Sequence, residues 1–278
     1  MSVNDELSRY ADAGEFKRVL SEAPRSFRVN TLKINVADFL KEFPLECERV
    51  PWLDYAFTAR GEIGKTIEHA CGYLFVQSLS SMLPSLCLAP KAGELVLDSC
   101  ASPGAKTTHM SQLMNNEGGI AAIESSRRRH NVLVSNCNRF GCVNTACFRT
   151  DATHLKGRER FDKVLVDAPC SCLGTFDGLE ADKRGHERLQ LSLLKAGYRL
   201  LKRGGELVYS TCTFREEENE AVVQALLEST DAELFEAELP LSTSKGLSDY
   251  GKEFARTRRV YPSEINSEAF FIAKVVKP

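Results

Sequence analysis

From residue 95 onward, short β-branched runs alternate with stretches of helical periodicity, and this alternation constrains the chain more than any other feature. Strands are expected at Leu95 to Asp98, Gly119 to Glu124, Thr145 to Thr150, Phe161 to Asp167 and Glu206 to Ser210, with helices at Lys106 to Met114, Ser126 to Phe140 and Arg188 to Lys202. Connections of helix length favour parallel pairing, so the expected fold is α/β, a doubly wound, mainly parallel sheet with helices on its faces. Arg203-Gly204-Gly205 reads as a helix stop and turn into the next strand. Thr213-Phe214-Arg215-Glu216 has the form of a capping box opening a helix over Glu216 to Glu228. Beyond a polar loop, Ser242 to Gly251, the segments Arg258 to Tyr261 and Ala269 to Val276 predict a closing antiparallel pair at one sheet edge. Residues 1–90 read differently, as a small α+β segment: Arg25 to Ile34 strand-like, Val36 to Phe43 and Leu79 to Leu88 helical. The division is therefore 1–90 and 91–278.

Composition narrows the setting. The opening residues carry neither a basic start nor an apolar run, and nowhere do about 20 apolar residues follow one another. A soluble, cytoplasmic, monomeric protein is expected, with its ten cysteines as reduced thiols. No metal is expected, because there is no C-x-x-C pair and no histidine at ligand spacing from a cysteine pair. The net charge of −2 gives no global pull toward nucleic acid. An anionic partner would have to be held by local clusters: Arg127 to His130, Lys156 to Arg160, Lys183 to Arg188, Lys202-Arg203 and Arg256 to Arg259. Each of these taken alone reads more readily as a solvated helix face or loop, and the five together are only suggestive.

The stretch Asp98-Ser99-Cys100-Ala101-Ser102-Pro103-Gly104-Ala105-Lys106 runs from an apolar strand through small residues into a helix. An open α/β sheet binds ligands there, at the carboxyl end of its first strand against a helix N-terminus. A phosphate loop is excluded, since Cys100 and Ala105 stand where G-x-x-x-x-G-K-[ST] needs glycine. Glu124, ending the second strand, is placed to receive ribose hydroxyls. Asp151, after the third, is placed to face an adenine ring or to begin a loop.

Two thiols follow two further strand ends, Asp167-Ala168-Pro169-Cys170 and Ser210-Thr211-Cys212. Adjacent strands would bring both into one crevice over the cofactor loop. Carbon 5 of cytosine is too weak a nucleophile to attack a methyl sulfonium unaided, and a thiolate adding to carbon 6 makes it enamine-like. Asp167 is placed to bear charge at ring nitrogen 3, and Lys106 is a candidate cation to help ionise a thiol.

These motifs resemble the Sun-type (NSUN) family of RNA 5-methylcytosine methyltransferases, most closely its short archaeal tRNA members. Asp98 to Lys106 is similar to that family's D-x-C-A-A-P-G-G-K, Asp167 to Cys170 to its D-A-P-C, and Ser210 to Cys212 to its S-T-C. Further similarity at Arg28 to Leu32, Phe75 to Met82, Arg259 to Pro262 and Phe270 to Ala273 extends it over nearly the whole chain. The resemblance implies the Rossmann-like fold of S-adenosylmethionine-dependent methyltransferases with an RNA-recognition segment in residues 1–90. It implies Cys212 as nucleophile, Cys170 as the thiol that helps release methylated RNA, and Asp167 as the contact to the flipped base. Cys100, Ala101, Ser102, Pro103, Gly104, Ala105, Lys106, Glu124, Arg129, Asp151 and Asp167 would hold S-adenosylmethionine. The expected partner is RNA, tRNA ahead of ribosomal RNA. Ser102 replaces an alanine of the pattern, Ala105 a glycine, and Cys172 the glycine of D-A-P-C-S-G, which puts cofactor affinity in question. Rival readings are a DNA cytosine methyltransferase attacking through Cys170, a catalytically idle RNA-binding factor, and a small-molecule methyltransferase, which would leave the paired thiols unexplained.

Overall fold

The computed structural model describes residues 3–175, 177–180 and 185–278, and among the described residues the strands form two sheets. After helices α1 (Val3–Leu7) and α2 (Ala13–Glu22), strands β1 (Arg25–Val29), β2 (Cys47–Arg49), β3 (Ala56–Ala59) and β4 (Leu74–Val76) make a small antiparallel sheet in the order β2-β3-β1-β4, with helices α3 (Val36–Glu42) and α4 (Ile67–Ala70) in its connections. Its core is aromatic: Phe27 lies opposite Phe57 across β1 and β3, and Phe39 and Phe43 close over them at centroid distances of 4.8 to 5.8 Å. Rings burying about 150–250 Å² each give this short segment a core of its own. The expected strand Arg25 to Ile34 is cut short at Val29, because Asn30 turns the chain; its side-chain amide donates to Gly72 O and Phe140 O, both at 2.9 Å.

The large sheet is built from β5 (Leu95–Asp98), β6 (Gly119–Ile123), β7 (Thr145–Phe148), β8 (Phe161–Asp167), β9 (Leu201–Thr211), β10 (Glu233–Phe235), β11 (Ser244–Lys245), β12 (Arg258–Val260) and β13 (Phe270–Val276), in the order β11-β12-β13-β9-β8-β5-β6-β7, with β10 also on β13. Strands β5 to β9 pair in parallel, whereas β13 is antiparallel to β9, β10 and β12. Helices α5 (Leu79–Leu88), α6 (Ala105–Leu113) and α7 (Arg127–Phe140) lie on one face; α8 (Glu187–Leu200) and α9 (Glu220–Ser229) lie on the other, and the short α10 (Pro262–Ile265) links β12 to β13.

The period-two rule of strands explains why both faces are dry. Val96, Leu165, Val208 and Ile272 pack with Met82, Leu83 and Met110 on the α5–α6 side, while their neighbours Leu97, Val164, Leu207 and Phe271 pack with Leu193, Leu194 and Val223 on the other. At Gly197 helix α8 comes close against the sheet: a Cβ there would stand 3.1 Å from methyls of both Val164 and Val166. The small sheet is fastened to the large one by Arg28, fully buried, whose guanidinium donates to Thr108 at 2.8 Å and to Gln112 of α6. Burial away from any carboxylate pushes its pKa down to about 10.

Three local expectations fail for identifiable reasons. Helix α8 stops at Leu200, before Arg203-Gly204-Gly205, because Leu201 already pairs with Phe161; the glycines fall in an irregular strand entry with a register shift. The capping box at Thr213 does not form. Its hydroxyl is engaged by Ser171 Oγ at 2.9 Å, Glu216–Glu218 make a 3-10 turn, and α9 begins only at Glu220. The basic run Arg256 to Arg259 is structural: Arg256 donates to Leu234 O, Arg258 pairs with Glu236, and Arg259 forms a buried pair with Glu220 at 2.5 Å. Lys202 likewise pairs with Asp162 at 2.7 Å. Part of the run Lys183 to Arg188 lies outside the described residues.

Candidate active site

The site is assembled where β5, β6, β8 and β9 release their carboxyl ends. After Asp98 the chain turns through residues 99–104, and Gly104 adopts φ +102° with α6 starting behind it. A Cβ there would meet Leu133 Cδ1 at 3.2 Å, so glycine is set both by backbone and by space. Ala105 is the first residue of α6, an ordinary helical position, and it packs against the cluster that includes Leu133 and Cys137. Ser102 latches the loop to α7: its hydroxyl donates to Arg129 O at 2.9 Å, and its carbonyl accepts from the Arg129 guanidinium at 2.8 Å.

A cleft of about 490 Å³ opens above this loop, within the range usual for small-molecule sites. Cys100, Ser102, Glu124, Arg129, Asp151, Asp167, Cys170 and Cys212 all line it. Glu124 is buried and doubly held, accepting from the Ser126 amide at 2.8 Å and lying 3.3 Å from Arg129 Nε. Asp151 is held below the usual carboxylate range by the Thr153 hydroxyl at 2.7 Å. Asp98 is buried and pushed up to about 7, first by desolvation; Thr107 donates to its Oδ2 at 2.7 Å, while Oδ1 is buried without a well-formed hydrogen bond, as is Ser99 Oγ. Buried acceptors and donors left over beside a cleft with a carboxylate at each end fit a nucleoside that carries an amino-acid tail.

Opposite this loop stand the thiols. Asp167 and Ser210 are register partners on β8 and β9, so the chain reaches Cys170 and Cys212 at the same level; their sulfurs are 3.3 Å apart. Polar ties hold the two loops together. Ser171 Oγ and Thr213 Oγ1 are 2.9 Å apart, and Glu218 accepts from the Ser171 amide at 2.9 Å and from Gln190 at 2.8 Å. From outside, α1 and α2 pack Leu7, Phe16 and Leu20 on Leu173, Phe214 and Ala269, and buried Glu6 pairs with Arg215 at 2.6 Å. Hydrogen bonds with Cys170 and then Cys172, followed by burial, push the Cys212 thiol well up; Cys170 is raised too, first by Cys172. Lys106 donates to Asp167 Oδ2 at 2.8 Å and Ser81 Oγ at 3.0 Å and lies over the Phe270 ring, so its described contacts are to the carboxylate and not to a thiol. Ser210 donates to the other oxygen, Asp167 Oδ1, at 2.8 Å.

Sequence reasoning missed the roles of Ser81, Gln190, Ser210 and Glu218, which position the charged and thiol groups, although Ser210 could have been found because it opens the Ser210-Thr211-Cys212 motif at the end of β9. Cys172, read from the sequence only as a departure at a glycine position, has φ +60°, and its sulfur joins Cys170 and Cys212 in a group lying within 4.8 Å of one another. The spacing argument against metal considered only pairs near in sequence, whereas Cys212 arrives from a different strand.

A mainly parallel sheet with one reversed strand beside β9, and a ligand cleft at its carboxyl ends, defines the class: a methyltransferase of the Rossmann-like α/β type. Residues 85–276 match the family described as "16S rRNA methyltransferase RsmB/F", and residues 3–79 match "N-terminal domain of 16S rRNA methyltransferase RsmF". The chain belongs to this Sun-type, RsmB/F family of S-adenosylmethionine-dependent RNA 5-methylcytosine methyltransferases. Among its relatives is the tRNA (cytosine(49)-C(5))-methyltransferase of Pyrococcus abyssi, 40% identical over 99% of this chain and 95% of that protein. The ribosomal RNA small subunit methyltransferase F of Aeromonas salmonicida is 38% identical over 91% of this chain but only 57% of its own length. A crystal structure of a methyltransferase homologue from Pyrococcus horikoshii superposes with TM-score 0.83 at 34% identity, covering 99% of each chain. Among the described residues no helix is long and apolar enough to cross a membrane.

Proposed function

We propose that this chain forms 5-methylcytosine in tRNA, acting as a cytoplasmic monomer, with residues 1–90 gripping RNA and residues 91–278 performing catalysis. The observation that carries this reading is the pair of thiols 3.3 Å apart in a cleft they share with Glu124 and Asp167. The tRNA assignment is supported by near full-length similarity to a tRNA methyltransferase, against partial coverage of the ribosomal RNA enzymes, which supply the second reading.

S-adenosylmethionine, when bound, supplies an electrophilic methyl group. Glu124, steadied by Arg129 and the Ser126 amide, takes the ribose hydroxyls. Asp151 meets the adenine side, and the Cys100 to Lys106 loop borders the amino-acid tail. The target cytosine must leave its stack before carbon 6 can be reached. The Cys212 thiolate then adds to carbon 6, and the electron pair pushed into the ring makes carbon 5 the nucleophile. A proton taken up from solvent at ring nitrogen 3 neutralises the charge that builds there as the thiolate adds, and it is given back when the thiolate leaves. Asp167, fixed by Lys106 and Ser210, accepts a hydrogen bond from that N–H. After methylation, the carbon 5 proton passes to water in the open cleft, and the electron pair it leaves behind re-forms the C5–C6 double bond. The sulfur–carbon 6 bond breaks, and Cys212 leaves as thiolate. Cys170, in contact with the leaving sulfur, assists this release. The exposed runs Arg127 to Arg129 and Lys156 to Arg160 provide the phosphate contacts.

The test compares wild type, Cys212→Ala and Cys170→Ala with labelled S-adenosylmethionine and unmodified tRNA transcripts. Loss of methylation in Cys212→Ala, with protein–RNA adduct trapped in Cys170→Ala, is the expected result. Methylation surviving in Cys212→Ala would transfer the nucleophile role to Cys170, as in the DNA-enzyme reading. Cofactor binding with no transfer to tRNA or ribosomal RNA would make the chain an RNA-binding factor.

A further inference from the structure

We propose that Cys170, Cys172 and Cys212 form a three-thiolate site for one soft divalent cation of the Zn²⁺ or Cd²⁺ type, and that its capture holds the nucleophile out of reaction. Among the described residues this is the place where three metal-ligating side chains converge, each sulfur within 4.8 Å of the others. Sulfurs bound to one zinc at about 2.3 Å stand about 3.8–4.0 Å apart, so the triad reaches that spacing by small side-chain rotations. Its frame is rigid on both sides, through the Ser171–Thr213 contact and the Glu218 clasp on the Ser171 amide.

Cys172 is the decisive member. It sits at φ +60°, a backbone conformation that glycine takes freely and L-residues rarely adopt, and there its thiol donates to Cys170 O at 3.4 Å instead of pointing away from the crevice. The described hydrogen bonds of Lys106, the nearby buried cation, go to Asp167 and Ser81, and neighbouring sulfurs together with burial push the Cys170 and Cys212 thiols up. A divalent cation reverses that state: three thiols bind one ion, three S–metal bonds form, and three protons go to solvent. The fourth tetrahedral position faces the cleft, where water completes the shell, as in zinc sites with an open coordination position. Metal binding rests on geometry alone; its inhibitory consequence rests on Cys212 being the nucleophile.

The probe is Cd²⁺ itself, titrated into the reduced full chain without RNA. Thiolate-to-metal charge-transfer absorption reports the thiolates bound, and native mass spectrometry reports the ions per chain. One ion per chain is expected. Cys172→Gly, which relaxes the backbone at that position, should weaken affinity at least about tenfold and lower the band by about a third. Cys147→Ser, removing one member of the separate Cys137–Cys147 pair at 3.9 Å, should change neither. Equal binding by wild type and Cys172→Gly, or loss of the ion in Cys147→Ser, would overturn the site. In parallel, methylation of tRNA should stop with one equivalent of metal, return with chelator, and be less metal-sensitive in Cys172→Gly. One bound ion with methylation unaffected would refute the capture of the nucleophile. One bound ion in a protein that never methylates RNA would leave the metal site standing and refute the proposed activity instead.

Discussion

Ser210→Ala is the perturbation whose size follows most directly from the site. The Ser210 hydroxyl is fully buried and donates to Asp167 Oδ1 at 2.8 Å, while Lys106 holds Oδ2 at the same distance. A hydrogen bond to a charged group is worth about 1.5–3 kcal/mol, and removing it leaves the carboxylate with one protein partner and freedom to rotate about its Cβ–Cγ bond. If Asp167 must face ring nitrogen 3 as charge develops, that energy is lost from the transition state, so kcat should fall about 10- to 150-fold. KM for tRNA should stay near wild type, because the contact matters after the base is seated. Single-turnover methylation at saturating S-adenosylmethionine measures this, with cofactor affinity followed separately. Lys106→Met, alone and combined with Ser210→Ala, completes a cycle in which the two changes should be non-additive, since both groups orient one carboxylate. A fall of less than about twofold in Ser210→Ala with intact folding, or strict additivity in the cycle, would remove Asp167 orientation from the mechanism.

Glu220→Gln should destabilise the chain by about 3–5 kcal/mol, because Arg259 is left buried without its carboxylate; a Tm lower by roughly 6–20 °C is expected in a thermal melt. Gly197→Ala should cost about 1–3 kcal/mol in a denaturant titration, since the new methyl meets Val164 and Val166 at 3.1 Å. Because Cys212 is raised, its thiolate is the minor form at neutral pH and grows as pH rises; the single-turnover rate should climb tenfold per pH unit through neutrality, with no plateau below about pH 9. A plateau near pH 7 would mean that bound RNA lowers the thiol. Glu124→Ala should weaken S-adenosylmethionine at least about tenfold by calorimetry while tRNA binding persists.

What the sequence made legible was whatever a local pattern could carry. Strands β5 and β8 were read to the residue because a β-branched, apolar stretch, Leu95 to Leu97 or Val164 to Val166, ends in Asp98 or Asp167. Helix α5 was read to the residue over Leu79–Leu88. Strands β2, β3 and β4, of three or four residues, are too short for a period to show and exist through pairing, β3 and β4 with β1 and β2 with β3. The early start of β9 depends on Leu201 meeting Phe161, a contact no window of sequence contains. In the site, the thiols and carboxylates were visible because each ends a strand. Their supports were not: Glu218 reaches Gln190 and the Ser171 amide from 28 and 47 residues away, and Thr213, which looked like a helix cap, is occupied by Ser171.

The packing of α1 and α2 on Leu173, Phe214 and Ala269, together with the Glu6–Arg215 pair, means that the first two dozen residues belong mechanically to the nucleophile. A fragment trimmed to start just ahead of β5 would keep both cysteine motifs and the whole cofactor loop, yet would strip away the buttress on which the two thiol loops lean. Such a fragment should hold S-adenosylmethionine and turn over poorly.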